Sequence, residues 1–435
     1  MAQTEKLSLL EAIFINITIM IGTGVFINTV TLAQKNGSLV GLNYIFTGLC
    51  LLPIVFSLSR LVNLFPSGGF YAYATETIHP FVGFISSWIY FFAKLGSCTI
   101  SIHTFVCIIH QLIPFLNHIP LFLLDISMFG LCVFLNTRHI KTGSSILRYF
   151  FLLKMIPLCT VIFAGIWYGT SANIYTLPSS IESLPLTIPL IIFTLLGFEA
   201  SCSLSGKIEN ASKNGPLAIL ISFSAVIALN IAYQLFFYAM LGNAFLSFTD
   251  YRDAFPALFA YLIPHNQAAQ QIGFSLIHGM IATSALSGGF GMMYSLLWNL
   301  PTLAEHNHLP FKSLFTHTNK YHIPVACAYL QGAMCLLYLF ISHGNPSILQ
   351  QLAALGCTIT YAISAAGLYV YAYKNKNNRI ALLALSGLGG CVLLASVCAL
   401  NLYKQGFDTL ILLCILILAG IFFYQKPKAL PKETA

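Results

Sequence analysis

Lys94, Lys154 and Glu199 stand in stretches of the chain that are otherwise too apolar to hold a charge. An ionisable side chain at such depth in hydrocarbon is costly, so it marks a pathway, a buried partner or a proton relay. Glu199 lies in "PLIIFTLLGFEASCSLSG" beside Gly197, where it could take up a proton or face a cationic group of a substrate. Lys94 is one helical step from Tyr90, which puts both on one face and makes them candidates to line a cavity. His103, His110 and His278 also fall within apolar stretches and could relay protons, although a hydrogen-bonded buried histidine is the simpler reading of each. Asp125, near one end of its stretch, receives no role.

The second chemical feature is backbone. "IMIGTGVFINTV" places Gly22 and Gly24 around Thr23 in the middle of an apolar run, and Gly197 interrupts the run that holds Glu199. Glycine destabilises a helix, and the backbone groups it frees are tolerated at membrane depth only where they line a cavity or meet protein. The half-helix that starts near Val25 points its N–H groups and positive dipole end at the midplane, which suits a carboxylate. The oppositely directed half-helix that ends near Leu196 offers carbonyls at the same depth, which suit an ammonium. Together they describe a receptor for a zwitterion, an α-amino acid. Taken alone, Gly-Thr-Gly reads equally well as close helix packing through small residues; the second break favours binding.

The elements that must position these groups are membrane helices. The 435-residue chain is 57% hydrophobic and 7% charged, with a mean hydropathy of +0.82. That composition excludes an ordinary soluble domain. Apolar runs long enough to cross about 30 Å of hydrocarbon are expected near 10–34, 39–64, 81–113, 120–137, 145–169, 187–206, 216–242, 272–298, 324–342, 348–373, 380–400 and 408–424. No stretch alternates with the period of a barrel strand, so the fold is expected to be all-α. With twelve alternating spans and a cytoplasmic N-terminus, fifteen Lys and Arg fall on the inner side and three, Lys35, Arg252 and Lys404, on the outer. This asymmetry fixes the orientation, puts both termini in the cytoplasm and accounts for the net charge of +8 without nucleic acid. The start, "MAQTEKLSLLEAIF", has no basic n-region or cleavage site, so segment 1 is expected to be retained. Trp167 and Trp298 fall at span ends, as interfacial aromatics would.

The two breaks lie five spans apart, which suggests inverted five-helix repeats over about 10–169 and 187–373, two extra helices over about 380–424, and one transport domain over 1–435. The twelve cysteines lie in apolar spans with no CxxC, and read as small core residues. Glu305, His306 and His308 form a weak metal pattern better read as a solvated loop. No metal and no cofactor are expected.

With these residues in place, the chain resembles the amino acid-polyamine-organocation superfamily of transporters, which have the leucine-transporter fold. "IGTGVF" is similar to that superfamily's segment 1 signature and "FTLLGFEASCSLSGKIENASKNGPLAI" to its segment 6 signature. "FPSGGFYAY", "LNTRHIKTGSSILRYFFLLKMIP" and "LAEHNHLPFKSLFTHTNKYHIPVA" fall where the family has similar motifs, so the resemblance covers most of residues 10–375. It implies an alternating-access carrier in which Gly22, Thr23 and Gly24 meet the substrate carboxylate, Ile19 contributes near the ammonium and Phe193 closes over the substrate. Lys154 matches the lysine that several members use in place of a sodium ion, and could exchange protons. "GFEAS" is similar to the arginine-agmatine and putrescine-ornithine antiporters, although many other members also have this Glu. The chain departs from the family after the break, where Gly206, Lys207, Asn210 and Ala211 replace the usual Glu-Glu and Asn-Pro. A cationic Lys94 near the site would disfavour arginine or diamines unless Glu199 pairs with it.

The expected function is secondary amino acid transport across a cytoplasmic membrane, by proton coupling or exchange. The alternatives are a basic amino acid-diamine antiporter and a sensor that binds without flux. A major facilitator would have two six-helix halves, a long central loop and a basic glycine motif, none of which the chain shows. An intramembrane enzyme would need convergent catalytic groups, and the sequence has no HExxH and no GxSxG.

Overall fold

The computed structural model describes residues 6–174, 184–405 and 407–426. The chain enters at a capping box in which Ser8 and Glu11 satisfy each other's backbone N–H groups, a sequence-local start signal. From there it forms α1 (Leu9–Met20), α2 (Thr23–Ile27), α3 (Thr29–Asn36), α4 (Val40–Leu64), α5 (Gly69–Thr77), α6 (Pro80–Leu112), α7 (Leu121–Asn136) and α8 (Ile140–Tyr168). After α9 (Ser171–Ile174) follow α10 (Leu184–Leu195), α11 (Ala200–Ser203), α12 (Ala211–Leu241), α13 (Tyr251–Leu262) and α14 (Gln267–Leu296). The remaining elements are α15 (Asn299–Glu305), α16 (Lys312–Thr316), α17 (Val325–Ser342), α18 (Pro346–Lys374), α19 (Asn378–Gln405) and α20 (Asp408–Phe423).

The fold is all-α: among the described residues the only β pairing is a single bridge between Leu7 and Ile208. Nine helical segments among the described residues are long and apolar enough to cross a membrane, and α7, α10 and α20 are shorter apolar helices. Each of the twelve expected apolar runs coincides with helix. The middle of α6 is buried from Ser86 to Ile102, packed between α14 and α18, while α1 is wrapped by α8, α12 and α14. The outward faces of α4, α8 and α19 expose Leu42, Leu49, Phe163, Trp167 and Leu382, an apolar belt for lipid.

One expectation changes at the expected inner end. Beside the half-buried Trp298, whose ring packs on Tyr294 and lies under the Lys207 ammonium, 5.3 Å from the ring centre, the 305–308 loop is not open to solvent throughout. His308 is not solvated. It is buried, shares a 2.9 Å hydrogen bond with the Tyr71 hydroxyl, meets the Gln425 carbonyl at 3.1 Å and stacks on Tyr424.

Candidate substrate site at two helix breaks

The first break separates α1 from α2. Helix α1 stops at Met20, and Ile21 (ψ 71°) and Gly22 (ψ −142°) leave helical geometry before Thr23 restarts it, two residues earlier than expected. A helix that ends this way leaves its last carbonyls without intrahelical donors and presents a negative dipole end. Lys154 answers both needs. Its fully buried ammonium donates to Thr18 O at 2.7 Å and to Ile21 O at 2.6 Å, and Ser284 Oγ adds a 3.1 Å bond to Ile21 O. At the other side of the break no side chain caps the leading N–H groups of α2. The backbones are close here: a Cβ on Gly288 would lie 3.1 Å from Gly22 Cα. Thr23 Oγ1 and Ser101 Oγ share a 3.4 Å bond, and a Cβ on Gly24 would sit 2.7 Å from the Phe193 ring.

The second break separates α10 from α11. Gly197 adopts φ +133°, a conformation that side-chain-bearing residues rarely take, so the sequence needs glycine there. Its N–H donates to Glu199 Oε2 at 2.7 Å. The other carboxylate oxygen receives Lys94 Nζ at 2.6 Å and the Tyr90 hydroxyl at 3.4 Å. Lys94, Tyr90 and Glu199 are all fully buried, so this is an ion pair without accessible surface, where removal of either partner strands a charge. The helical step from Tyr90 to Lys94 therefore does place both on one face, and that face meets the second break.

The breaks lie against each other. A Cβ on Gly197 would come within 2.8 Å of Ile19 Cγ2 and Met20 N. Asn16 ties the two together, donating to Phe198 O at 3.0 Å and accepting from Ser201 Oγ at 3.0 Å. Ile19, Gly22, Thr23, Gly24, Phe193, Leu196, Gly197 and Glu199 are thus gathered within one buried region, with Lys154 on its α8 side and Lys94 on its α6 side. Sequence reasoning missed Asn16, Ser101, Ser284 and Gly288. The "SGGFG" run of 287–291 was the available sign that another backbone approaches closely.

Of the span histidines, His103 faces both oxygens of Asp125 at 3.0 Å and Cys107 Sγ at 3.4 Å. That gives Asp125 the partner the sequence did not reveal. His110 meets the Ile119 carbonyl at 3.3 Å. His278 packs on Phe274 and Tyr251 while its Nε2 has no hydrogen bond among the described residues.

Above this region, a vestibule of about 560 Å³ opens between Asn28 and Thr31, the C-terminal part of α6 from Ile100 to Gln111, Pro189 and Leu190, the Asp250–Arg252 turn and the start of α18. None of residues 22–24, 193 or 196–199 lines it. Phe193, one turn along α10 from Pro189 and Leu190, is buried beneath its floor. The opposite end is tied shut. Leu7 N–H donates to Lys207 O at 2.8 Å, Glu209 N–H donates to Leu7 O at 2.9 Å, and Lys141 pairs with Glu11 at 2.9 Å. A cavity of only about 160 Å³ remains there, lined by Gly68, Gly69, Ser203, Lys207 and Trp298 among others. Nearby, the Tyr73 hydroxyl faces Ser205 and Cys202, and Ser203 faces Tyr90.

Comparison with known proteins identifies the family. The family model described as amino acid permease matches residues 7–423. An arginine/ornithine antiporter of Latilactobacillus sakei is 23% identical, over 98% of this chain and 90% of its own. A serine/threonine exchanger of Bacillus subtilis is 22% identical over 86% and 85%, and a methylthioribose transporter of the same organism 24% identical over 72% of each. With its multi-pass helices and a match that runs nearly end to end, the chain belongs to the amino acid permease family.

Proposed function

We propose that the protein is a secondary active carrier of amino acids that works by alternating access in a cytoplasmic membrane. The observation that supports it most is the juxtaposition of two interrupted helices of opposite direction, with the uncapped N–H groups of α2 and the end of α10 in one buried region. Those ends suit the carboxylate and the ammonium of a zwitterion. In this reading Gly22, Thr23 and Gly24 bind the carboxylate, Ile19, Leu196 and Gly197 border the ammonium, and Phe193 is the lid between site and vestibule. The bundle counts twelve spans, with inverted repeats over about 10–169 and 187–373 and both termini cytoplasmic. The vestibule then faces outward and the Leu7–Ile208 tie closes the cytoplasmic end. Lys154 and Glu199 are the proposed proton-handling residues, and protons or a second amino acid supply the driving force.

Purified protein in liposomes preloaded with unlabelled amino acids should accumulate a labelled amino acid from a panel, with and without a pH gradient. Specific binding without flux under every gradient would instead identify a sensor.

A further inference from the structure

We propose that Lys94 is a built-in cation that occupies the charge subsite of Glu199, so that the carrier takes amino acids with uncharged side chains and excludes basic amino acids and diamines. The inference rests on the amino acid carrier reading above and names its substrate class. Glu199 sits in the α10–α11 break, next to the glycine that touches the end of α1. It is therefore at the binding region and not in a remote core. Helix α6 borders that region along two turns, from Ser101, which meets Thr23, to Lys94. A carboxylate exposed there would be a receptor for a second ammonium or a guanidinium. Here its oxygens are engaged by Lys94 Nζ, Tyr90 Oη and the Gly197 N–H, and its exposure is 0%. The sequence alone would let a Glu199 pairing lift the bar that Lys94 sets against cations, but the pairing found here also uses up the carboxylate: a substrate cation would have to share it with Lys94, leaving an uncompensated positive charge in a medium of low dielectric. A zwitterion with an uncharged side chain brings no net charge and meets no such penalty.

Proteoliposomes carrying the full-length protein, Lys94→Met, Lys94→Gln or the double variant Lys94→Met with Glu199→Gln test this. Uptake of labelled uncharged amino acids is measured against an excess of arginine, ornithine or putrescine, and uptake of the labelled cations is measured directly. The expected result is that the wild type carries an uncharged amino acid and ignores the cations. Removing the Lys94 charge should improve uptake or competition by at least one cation by roughly tenfold or more, and neutralising Glu199 as well should abolish the gain. Two results overturn the proposal: competition by arginine or ornithine equal to that by uncharged substrates in the wild type, or unchanged exclusion of cations in a folded Lys94→Gln protein that still carries its substrate. If Lys94→Met does not fold, the amide of Lys94→Gln preserves a hydrogen bond to Glu199, and the wild-type competition decides independently. A wild type that carries no amino acid at all would refute the carrier reading itself, an outcome distinct from a carrier whose selectivity ignores Lys94.

Discussion

At the level of single residues, two ammonium groups do different work. Lys94 pairs with a carboxylate, whereas Lys154 caps the end of α1 through carbonyls alone. Replacing either member of the Lys94–Glu199 pair leaves the other charge buried, at a cost of about 3–5 kcal/mol, and replacing both costs less. Thermal unfolding of Lys94→Met, Glu199→Gln and the double variant in detergent should show that non-additivity. Lys154→Ala leaves Thr18 O without that donor and Ile21 O with Ser284 Oγ alone, at about 1–3 kcal/mol for the orphaned carbonyl, and should flatten the pH dependence of uptake. Transport that keeps its pH profile in both Lys154→Ala and Glu199→Gln would remove both residues from proton coupling. The charges themselves were legible in the sequence because a lysine or glutamate in a 20-residue apolar run is conspicuous. Their partners were not: Lys94 and Glu199 are 105 positions apart, and no local rule joins them.

Among the elements, glycine substitutions separate a break from a merely flexible helix. Gly197→Ala asks for φ +133° and sets a Cβ 2.8 Å from the Met20 backbone nitrogen, so it should forfeit both stability and substrate protection. Gly130→Ala, in α7 with nothing within 4 Å of the new Cβ, should be neutral or stabilise by up to about 1 kcal/mol. Melting temperatures with and without substrate compare the two. A different element, the segment after α20, hangs on His308. Burial first, and then the neighbouring His306, hold its imidazole below its ordinary value of 6.5, against the opposing pull of the Gln425 carbonyl. The folded state therefore binds a proton less readily than the unfolded one, so the contribution is present above pH 6.5 and is lost as pH falls below it. The hydrogen-exchange protection of residues 421–426, taken relative to the intrinsic exchange rate at each pH, should fall on acidification, and fall less in His308→Gln. Helices α1 and α10 were readable up to their breaks because glycine announces itself; the Leu7–Ile208 bridge and the burial of His308 come from long-range docking that composition does not encode.

Over the whole molecule, Lys35 and Arg252, expected outside, line the larger vestibule, and Lys207, expected inside, lines the small cavity at the other end. In the proposed orientation Cys107 lines the vestibule that faces outward. A membrane-impermeant maleimide applied from outside should therefore label it in intact cells, and a transported amino acid should change the rate; Cys107→Ser should remove the signal. In the proposed orientation the inner end is held by few bonds: Leu7 pairs through its backbone with Lys207 and Glu209, and Lys141 meets Glu11 as a partly exposed ion pair. A backbone bond of this kind contributes about 0.5–1.5 kcal/mol net, and an exposed ion pair about 0–1 kcal/mol. A substrate whose binding differs between the two states by only a few kcal/mol would then suffice to release the inner end.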